Sequence, residues 1–419
     1  MQVGIVGAGI TGLALQHQLR ERGVDSVAFE ADAEPGGVIS SRTVDGHVVE
    51  DGPQRTRLSP PVASLVEDLD LDDQLVEAAD PPLYLYRDGS LREVPFSVRE
   101  GVSTDLLSLR GKLRLLLEPL TGPPRGEETV EESLTRMLGK EAAQYLVGPL
   151  YGGIYGTHPD EMPMRHSLGR ALEKRGVDRS LLVAALRATR RGSTPPVVSF
   201  DGGLQTLPEA LCERHGERIR LNTPVEAVRQ TDDGFALETP GETTTVDRVV
   251  LTTPAAVTAG LLEPFAPGSA DALRALTYNP MAVVHLNAAS DIDAAGFQVQ
   301  YDESFRTLGV TSTGALFDRG TRHTAYLGGG RTPGLVEQSE STIREIAERE
   351  FAELTGVEAT AVDVRRLRRG MPAYDTTWDA LDAVDLPDGA HICANYAARA
   401  GIPGRLREAE RLAESLAGG

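Results

Sequence analysis

The amino-acid sequence predicts an α/β protein whose first domain is assembled from separated segments of the chain. Residues 1–31 alternate strand, glycine turn, helix and strand, which is the pattern of a βαβ unit. Strand–turn–helix patterns return at residues 197–216 and at the carboxyl terminus. A long helical stretch and a second group of strands lie between these segments. We therefore expect a mixed-sheet domain and a helical domain to be inserted into a Rossmann-like domain.

The composition narrows the classes of function. The chain has 419 residues and a formal net charge of −20, which argues against nucleic-acid binding. Lysine is nearly absent, so arginine carries the positive charge; this favours a salt-adapted, halophilic source, although a GC-rich genome is the alternative. The two cysteines, Cys212 and Cys393, lack metal-ligand spacing, so we predict no metal site. With neither a signal-peptide pattern nor a long apolar run, we expect a cytoplasmic protein.

The first turn carries a dinucleotide-binding motif. Gly7, Gly9 and Gly12 form Gly-x-Gly-x-x-Gly between the first strand and helix. These glycines permit a tight turn, close approach of a pyrophosphate to the backbone, and close helix–strand packing. Glu30 ends the second strand, where a carboxylate would accept the ribose hydroxyls. This predicts FAD or NAD rather than NADP; a chance glycine turn is the alternative.

A second glycine pair distinguishes FAD from NAD. Gly36 and Gly37 follow the acidic residue, and the segment resembles the second glycine motif of flavin amine-oxidase-type proteins, although an ordinary loop would also fit. The segments EDGPQ, FDGGLQTLPEAL, NTPVEAV and VDRVVLTTPA resemble the same superfamily. The resemblance implies FAD and an FAD-binding domain of the GR2, or p-hydroxybenzoate hydroxylase, type. The predicted FAD contacts are Gly7, Gly9, Ile10, Thr11, Gly12, Glu30, Ala31, Gly36, Gly37, Ser41, Gly52, Pro53, Val225, Thr253, Asn395, Gly401 and Ile402.

The middle of the chain resembles one family within this superfamily. The stretch PLYGGIYGTHPDEMPMR, residues 149–165, is similar to a segment of the protoporphyrinogen oxidase family, and MPAYDTTW and ANYAARAGIPG match its later segments in order. The glycines of that family's carboxyl-terminal loop are replaced here by Cys393 and Ala398. The implied domains are FAD-binding (1–58, 198–265 and 362–419), substrate-binding (59–102 and 266–361) and helical (103–197).

The resemblance implies oxidation of protoporphyrinogen IX or coproporphyrinogen III to the porphyrin. Six electrons would leave in three hydride transfers to the flavin, with O₂ as the expected acceptor. Such a reaction leaves the chemistry to the cofactor, so we assign no catalytic residue. Arginines are expected to bind the propionates, with Arg42 and Arg57 as further candidates. The predicted substrate contacts are Arg55, Tyr151, Gly153, Tyr155 and Arg399.

Other functions stay open at this point. The altered carboxyl-terminal loop would also suit a related FAD amine oxidase or desaturase-like enzyme, or a non-catalytic tetrapyrrole-binding flavoprotein. The basic amphipathic segment at residues 179–192 could lie on the inner face of the cell membrane or pack into the core. A homodimer is a further expectation.

Overall fold

A computed structural model describes residues 1–149, 155–169, 172, 180–183, 195–397 and 401–418. The chain forms two compact units. The first unit comprises Met1–Ala78, Pro195–Leu276 and Asp379–Gly419, and the second comprises Ala79–Thr194 and Thr277–Trp378.

The first unit is built on a five-stranded sheet in which every neighbouring pair is parallel. Its central strand is almost entirely apolar, as expected for a parallel strand covered on both faces. Helices from both ends of the chain pack together in one core, to which Leu13 and Ala409 contribute. In spatial order the strands are Ile219–Arg220, Asp25–Phe29, Gln2–Val6, Arg248–Leu251 and Ala390–Ile392.

The remaining elements of the first unit surround this sheet. Its helices are Ile10–Glu21, Pro60–Asp68, Thr206–His215, Ala255–Leu262, Pro267–Arg274 and Ile402–Gly418, with 3₁₀ turns at Asp72–Gln74 and Gly216–Arg218. Three small sheets are formed by Ser41–Val44 with His47–Glu50, by Thr56–Arg57 and Leu75–Glu77 on either side of Val197–Phe200, and by the meander Ala227–Thr231, Gly234–Thr239 and Glu242–Val246.

The second unit is built on a seven-stranded mixed sheet. All its neighbouring pairs are antiparallel except Gly296–Val299 with Leu83–Arg87. The helix Glu340–Thr355 packs Phe351 into this unit's core and ends at Gly356, which has φ 73°. The strand order is Ala359–Pro372, Tyr278–Ala288, Arg322–Gly328, Thr307–Thr311, Gly296–Val299, Leu83–Arg87 and Ser90–Glu93.

Short helices complete the second unit. They are Val98–Ser103, Leu109–Leu115, Val130–Leu138, Lys140–Ala142 with a π-helical continuation at Ala143–Val147, and Thr313–Phe317; 3₁₀ turns lie at Glu118–Leu120, Met164–His166 and Pro333–Glu337. A further 3₁₀ helix, Thr376–Ala383, spans the junction of the two units in sequence. Among the described residues, no helix is both long and apolar enough to span a bilayer.

The mixed α/β architecture agrees with the predicted fold class. The two units divide the chain at other positions than the predicted domains do. Residues 59–78 lie in the first unit because helix Pro60–Asp68 buries Val62 and Leu65 in its core. The sequence pattern of residues 59–76 favours helix throughout, and its first part does form the helix Pro60–Asp68. Leu75–Glu77 is instead a strand, because it pairs with Val197–Phe200. Such long-range pairing overrides local helical pattern.

The buried histidine His323 makes the stability of the second unit depend on pH. Its side chain is 3% exposed, its Nδ1 lies 3.0 Å from Ser312 Oγ, and burial lowers its pKa to about 4, although Asp291 acts in the opposite direction. Below about pH 6.5 the unfolded chain takes up a proton that the folded chain excludes, so stability falls until the folded pKa is reached.

We expect His323→Gln to lose less stability than the wild type between pH 7 and pH 4, by up to about 3 kcal/mol at about 1.4 kcal/mol per pKa unit. Urea unfolding at both pH values measures the difference. His47→Gln on the Ser41–Val44/His47–Glu50 hairpin is the control. Equal acid losses for wild type and His323→Gln would contradict the assignment.

Candidate cofactor site

The carboxyl ends of four parallel strands meet at one edge of the first unit's sheet. They are followed by the glycine turn after Val6, Glu30, the Thr252–Thr253 pair and the loop containing Asn395. Most of the predicted cofactor residues therefore lie along this edge, in the position where open α/β sheets bind their ligands.

The glycine turn closes so tightly that two of its glycines admit no side chain. Gly7 has φ 105° and its N–H donates to Phe29 O at 2.7 Å. A Cβ on Gly12 would lie 2.0 Å from Gly7 O. Thr252 secures the turn from the neighbouring strand, because its hydroxyl donates to Val6 O and Gly7 O, each at 2.9 Å. Helix and turn are thus locked together.

The helix that follows presents an open N-terminus. Its N-cap is Gly9, no side chain caps it, and its first turn holds no acidic residue. Ile10 and Thr11 begin this helix, where the first N–H groups lack intrahelical acceptors. An added Cβ on Gly9 would meet nothing closer than 3.9 Å, and one on Gly37 would meet Gly9 Cα at 3.5 Å. A space bordered by two bare glycines at a helix N-terminus suits a pyrophosphate.

Glu30 lies beside this turn. One carboxylate oxygen accepts from Ala8 N at 2.7 Å and the other accepts from Asp32 N at 3.1 Å. These two backbone bonds fix the carboxylate and leave acceptor capacity for a ribose diol. Ala31, the next residue, is exposed.

Val225 and Thr253 flank the same edge. Backbone bonds on either side of Val225 fix it: Thr223 N donates to Glu30 O at 2.7 Å and Glu226 N donates to Glu238 O at 2.8 Å. Within the described part of the chain, no hydrogen bond occupies the N–H or C=O of Val225, so both could bind the edge of an adenine. The hydroxyl of Thr253 bonds to that of Thr258 at 2.9 Å.

The second glycine loop is fastened to the first. Gly36 N donates to Ala8 O at 2.8 Å, and a Cβ on Gly52, which precedes Pro53, would lie 1.8 Å from Val38 O. The hydroxyl of Ser41 is used within the protein, because it donates to Glu50 and accepts from Gln205 N at 2.9 Å. We therefore assign this hydroxyl to supporting the loop.

The carboxyl-terminal loop contains an unpaired polar atom. Asn395 Oδ1 is buried and has no hydrogen-bond partner among the described residues. A buried amide oxygen without a partner, at the carboxyl edge of this sheet, fits a site that a ligand completes. Gly401, with φ 86°, leads into the final helix at Ile402. Burial raises the pKa of Cys393 to about 12, so this thiol stays protonated.

The sequence motifs overlooked three supporting residues. These residues are Thr252, Glu50 and Gln205, which lie within the matching segments but carry no motif signal of their own. Gln205 donates from Nε2 to Pro35 O at 2.8 Å, which ties the second glycine loop to the helix Thr206–His215. Only long-range contacts identify these roles, so no local signal could have found them.

The predicted substrate residues are divided between the two units. Arg55 lies in the first unit and Tyr155 in the second, whereas Tyr151, Gly153 and Arg399 fall outside the described residues. The further candidates are engaged elsewhere: Arg42 forms a bidentate ion pair with Asp51 at 2.8–3.1 Å, and Arg57 donates to Pro195 O at 2.9 Å. A propionate would have to compete with these bonds.

Glu30 offers a direct test of the cofactor site. We expect Glu30→Gln to fold but to bind FAD about 10- to 100-fold more weakly, since a hydrogen bond to a charged group is worth about 1.5–3 kcal/mol. Titration of the apoprotein with FAD, followed by flavin fluorescence, measures the dissociation constant. Asp32→Asn, two residues away and exposed, is the matched control. Equal affinity in Glu30→Gln and wild type would exclude the ribose contact.

Comparison with known proteins identifies the family. A family model described as flavin containing amine oxidoreductase matches residues 10–416. The chloroplastic protoporphyrinogen oxidase of Oryza sativa subsp. japonica is 31% identical over 406 residues, covering 86% of this chain and 75% of the relative. The coproporphyrinogen III oxidase of Staphylococcus aureus is 29% identical over 280 residues, covering 60% of each chain.

Solved structures share the fold. A protein from Exiguobacterium sp. 255-15, provisionally named a protoporphyrinogen oxidase, superposes with a TM-score of 0.81 at 23% identity and covers 99% of this chain and 98% of its own. Reduced UDP-galactopyranose mutase gives a TM-score of 0.74 at 16% identity, with coverage of 99% and 94%. The chain therefore belongs to the flavin-containing amine oxidoreductase family, is similar to protoporphyrinogen and coproporphyrinogen oxidases within it, and is an FAD-dependent oxidoreductase.

Proposed function

We propose that this protein oxidises a porphyrinogen, protoporphyrinogen IX or coproporphyrinogen III, to the corresponding porphyrin. The observation that carries the proposal is the match to the rice protoporphyrinogen oxidase, which extends over 86% of the chain and includes the family-specific segment at residues 149–165. The open helix N-terminus and the fixed Glu30 carboxylate support the cofactor that such a reaction needs.

FAD, when bound, supplies two-electron oxidation chemistry. Conversion of a porphyrinogen to a porphyrin removes six electrons and six protons, so three molecules of O₂ would be reduced to three of hydrogen peroxide. The task of the protein is to bind and orient the substrate and to exclude water, because a dry, shaped pocket favours one reacting geometry. We assign no general base.

Net charge bears on which porphyrinogen is the substrate. Protoporphyrinogen carries two propionates and coproporphyrinogen carries four, so a protein with a formal charge of −20 repels the second more strongly. Salt screens this repulsion, because the Debye length falls to about 3 Å at 1 M. The comparison of the two substrates should therefore be made at both low and high salt.

Anaerobic mixing with each porphyrinogen tests the proposal. We expect the flavin absorbance to bleach and porphyrin fluorescence to grow when air is readmitted, with peroxide formed in proportion. Tight porphyrin binding without bleaching would indicate a tetrapyrrole-binding flavoprotein. Neither bleaching nor binding would indicate an oxidase for another substrate, such as an amine.

An exposed apolar stretch of the second unit supports a peripheral membrane contact. Ten large apolar side chains are exposed among the described residues. Seven of them belong to one stretch of 25 residues in the second unit, residues 96–120: Phe96, Val102, Leu109, Leu113, Leu116, Leu117 and Leu120. Arg99, Arg110 and Lys112 accompany them. Clustered apolar groups with basic neighbours suit the surface of an anionic bilayer, so we propose that residues 96–120 rest on one. The segment predicted for this role, residues 179–192, falls mostly outside the described residues.

Vesicle binding tests this contact. We expect the wild type to co-sediment with vesicles of phosphatidylglycerol and phosphatidylcholine, and the triple variant Leu113→Glu, Leu116→Glu and Leu120→Glu to stay in solution. Val38→Glu with Val257→Glu, at exposed apolar sites elsewhere, is the control. Wild type that stays in solution at every salt concentration would contradict the proposal, and a dimer that the triple variant dissociates would assign the surface to a second copy.

A further inference from the structure

An aromatic stack in the second unit is contacted by a tyrosine from within the family-specific segment, residues 149–165. The ring of Tyr374 stacks on Trp378, with centroids 4.1 Å apart and an interplanar angle of 27°. Tyr155 meets Tyr374 edge to face at 4.9 Å. Tyr374 and Trp378 are 5% and 2% exposed. Because Tyr155 belongs to the segment that resembles the family motif, the ring contacts join this segment to residues 374–378.

Tyr374 has an unusual backbone conformation. Its φ is 58°, in the left-handed region that non-glycine residues avoid because their Cβ crowds the following carbonyl oxygen. Among the described residues, the other non-glycine positions with positive φ are all aspartates or asparagines, whose short polar side chains tolerate this region: Asp45, Asp70, Asp88, Asn222 and Asp318. A tyrosine persists there only if its surroundings hold it, and such strain is concentrated at functional sites.

Buried hydrogen bonds hold Tyr374 in place. Thr157 Oγ1 donates to Ala373 O at 2.6 Å, and Asn279 Nδ2 donates to Thr157 Oγ1 at 2.6 Å and to Tyr155 O at 3.1 Å. Both polar side chains are more than nine-tenths buried. The Thr157–Asn279 pair therefore fixes the chain immediately before Tyr374 and the backbone of Tyr155 at the same time.

Further hydrogen bonds fix the backbone on both sides of Tyr374. Ala373 N donates to Thr277 O at 3.0 Å, and Thr277 and Thr377 both donate to the Asp375 carboxylate. Trp378 Nε1 is buried and has no hydrogen-bond partner within the described residues. The indole is thus held by packing, with the Tyr374 ring stacked on it and the His166 ring centroid 6.3 Å away.

We propose that Thr157 and Asn279 are positioning residues for the oxidation, because they fix the half-buried Tyr155 on the buried Tyr374–Trp378 stack and so set the ring against which the flat tetrapyrrole packs. This inference rests on the proposed function. A flat apolar substrate gains from a rigid aromatic face, and misplacement by about 1 Å can lower a rate about 100-fold. The two residues act through the tyrosines and do not themselves contact the substrate.

Thr157→Val tests the inference, because it keeps the shape of the side chain and removes the hydroxyl. We expect the flavin-reduction rate at saturating porphyrinogen to fall about 10-fold or more, with Thr157→Ser restoring it. Thr307→Val is the matched control, since Thr307 is an equally buried threonine in the same unit whose hydroxyl bonds to Glu350 at 2.8 Å.

The single tryptophan gives a readout that needs no substrate. Trp378 is the only tryptophan in the chain, so intrinsic tryptophan emission reports on this stack alone. We expect Thr157→Val to shift the emission and increase its quenching by acrylamide, and Thr307→Val to leave both unchanged. Unchanged emission together with a rate equal to that of Thr307→Val would overturn the inference.

A second pair of variants covers the case in which Thr157→Val does not fold. Tyr374→Asn keeps a residue that tolerates positive φ but removes the ring, and Tyr374→Phe keeps the ring. We expect a rate near wild type for Tyr374→Phe and at least a 10-fold loss for Tyr374→Asn. Equal rates for the two would overturn the inference while the proposed function stands; a wild type that oxidises no porphyrinogen would remove the proposed function and the inference with it.

Discussion

The first unit depends on the approach of its first helix to the turn before it. Gly12 comes so close to Gly7 O that no side chain fits between them. This contact sets the helix on the sheet and aims its free N–H groups at the space beside Gly9 and Gly37. Glu30 and the second glycine loop are then fastened to Ala8, at the centre of the same turn, by one hydrogen bond each. A side chain at Gly12 would therefore disturb every part of the cofactor site that meets at this turn.

The cofactor site also explains how a strongly acidic protein can hold an anionic ligand. The predicted pyrophosphate contacts are backbone N–H groups at a helix N-terminus, and the predicted adenine contacts are the N–H and C=O of Val225. These are oriented dipoles whose strength does not depend on ionised side chains. The surface can therefore carry a formal charge of −20 without removing the groups that are predicted to bind the cofactor.

Local chemistry made much of this architecture predictable, and long-range contacts account for the remainder. The glycine turn and the acid at the end of the second strand follow from residues adjacent in sequence. Leu75–Glu77 reads as helical, yet it forms a strand because its partner comes more than a hundred residues later. For the same reason the supporting roles of Glu50 and Gln205 could not be predicted. Their bonds join segments that lie far apart in sequence.

The backbone strain at Tyr374 shows why contacts between distant segments, which the sequence does not reveal, matter for function. Local preference would place glycine, asparagine or aspartate at a position with φ 58°, and within the described part of the chain aspartate or asparagine occupies each of the other non-glycine positions of this kind. A tyrosine there departs from local preference, and departures of this kind are expected at functional sites. The sequence displays the tyrosine but not its backbone angle. It also does not reveal that Thr157 and Asn279 hold Ala373 and Tyr155, the neighbours that confine Tyr374. Buried hydrogen bonds between distant segments thus offset the backbone strain at Tyr374. They hold its ring where local preference would place no aromatic residue, which is what a functional position for this ring would require.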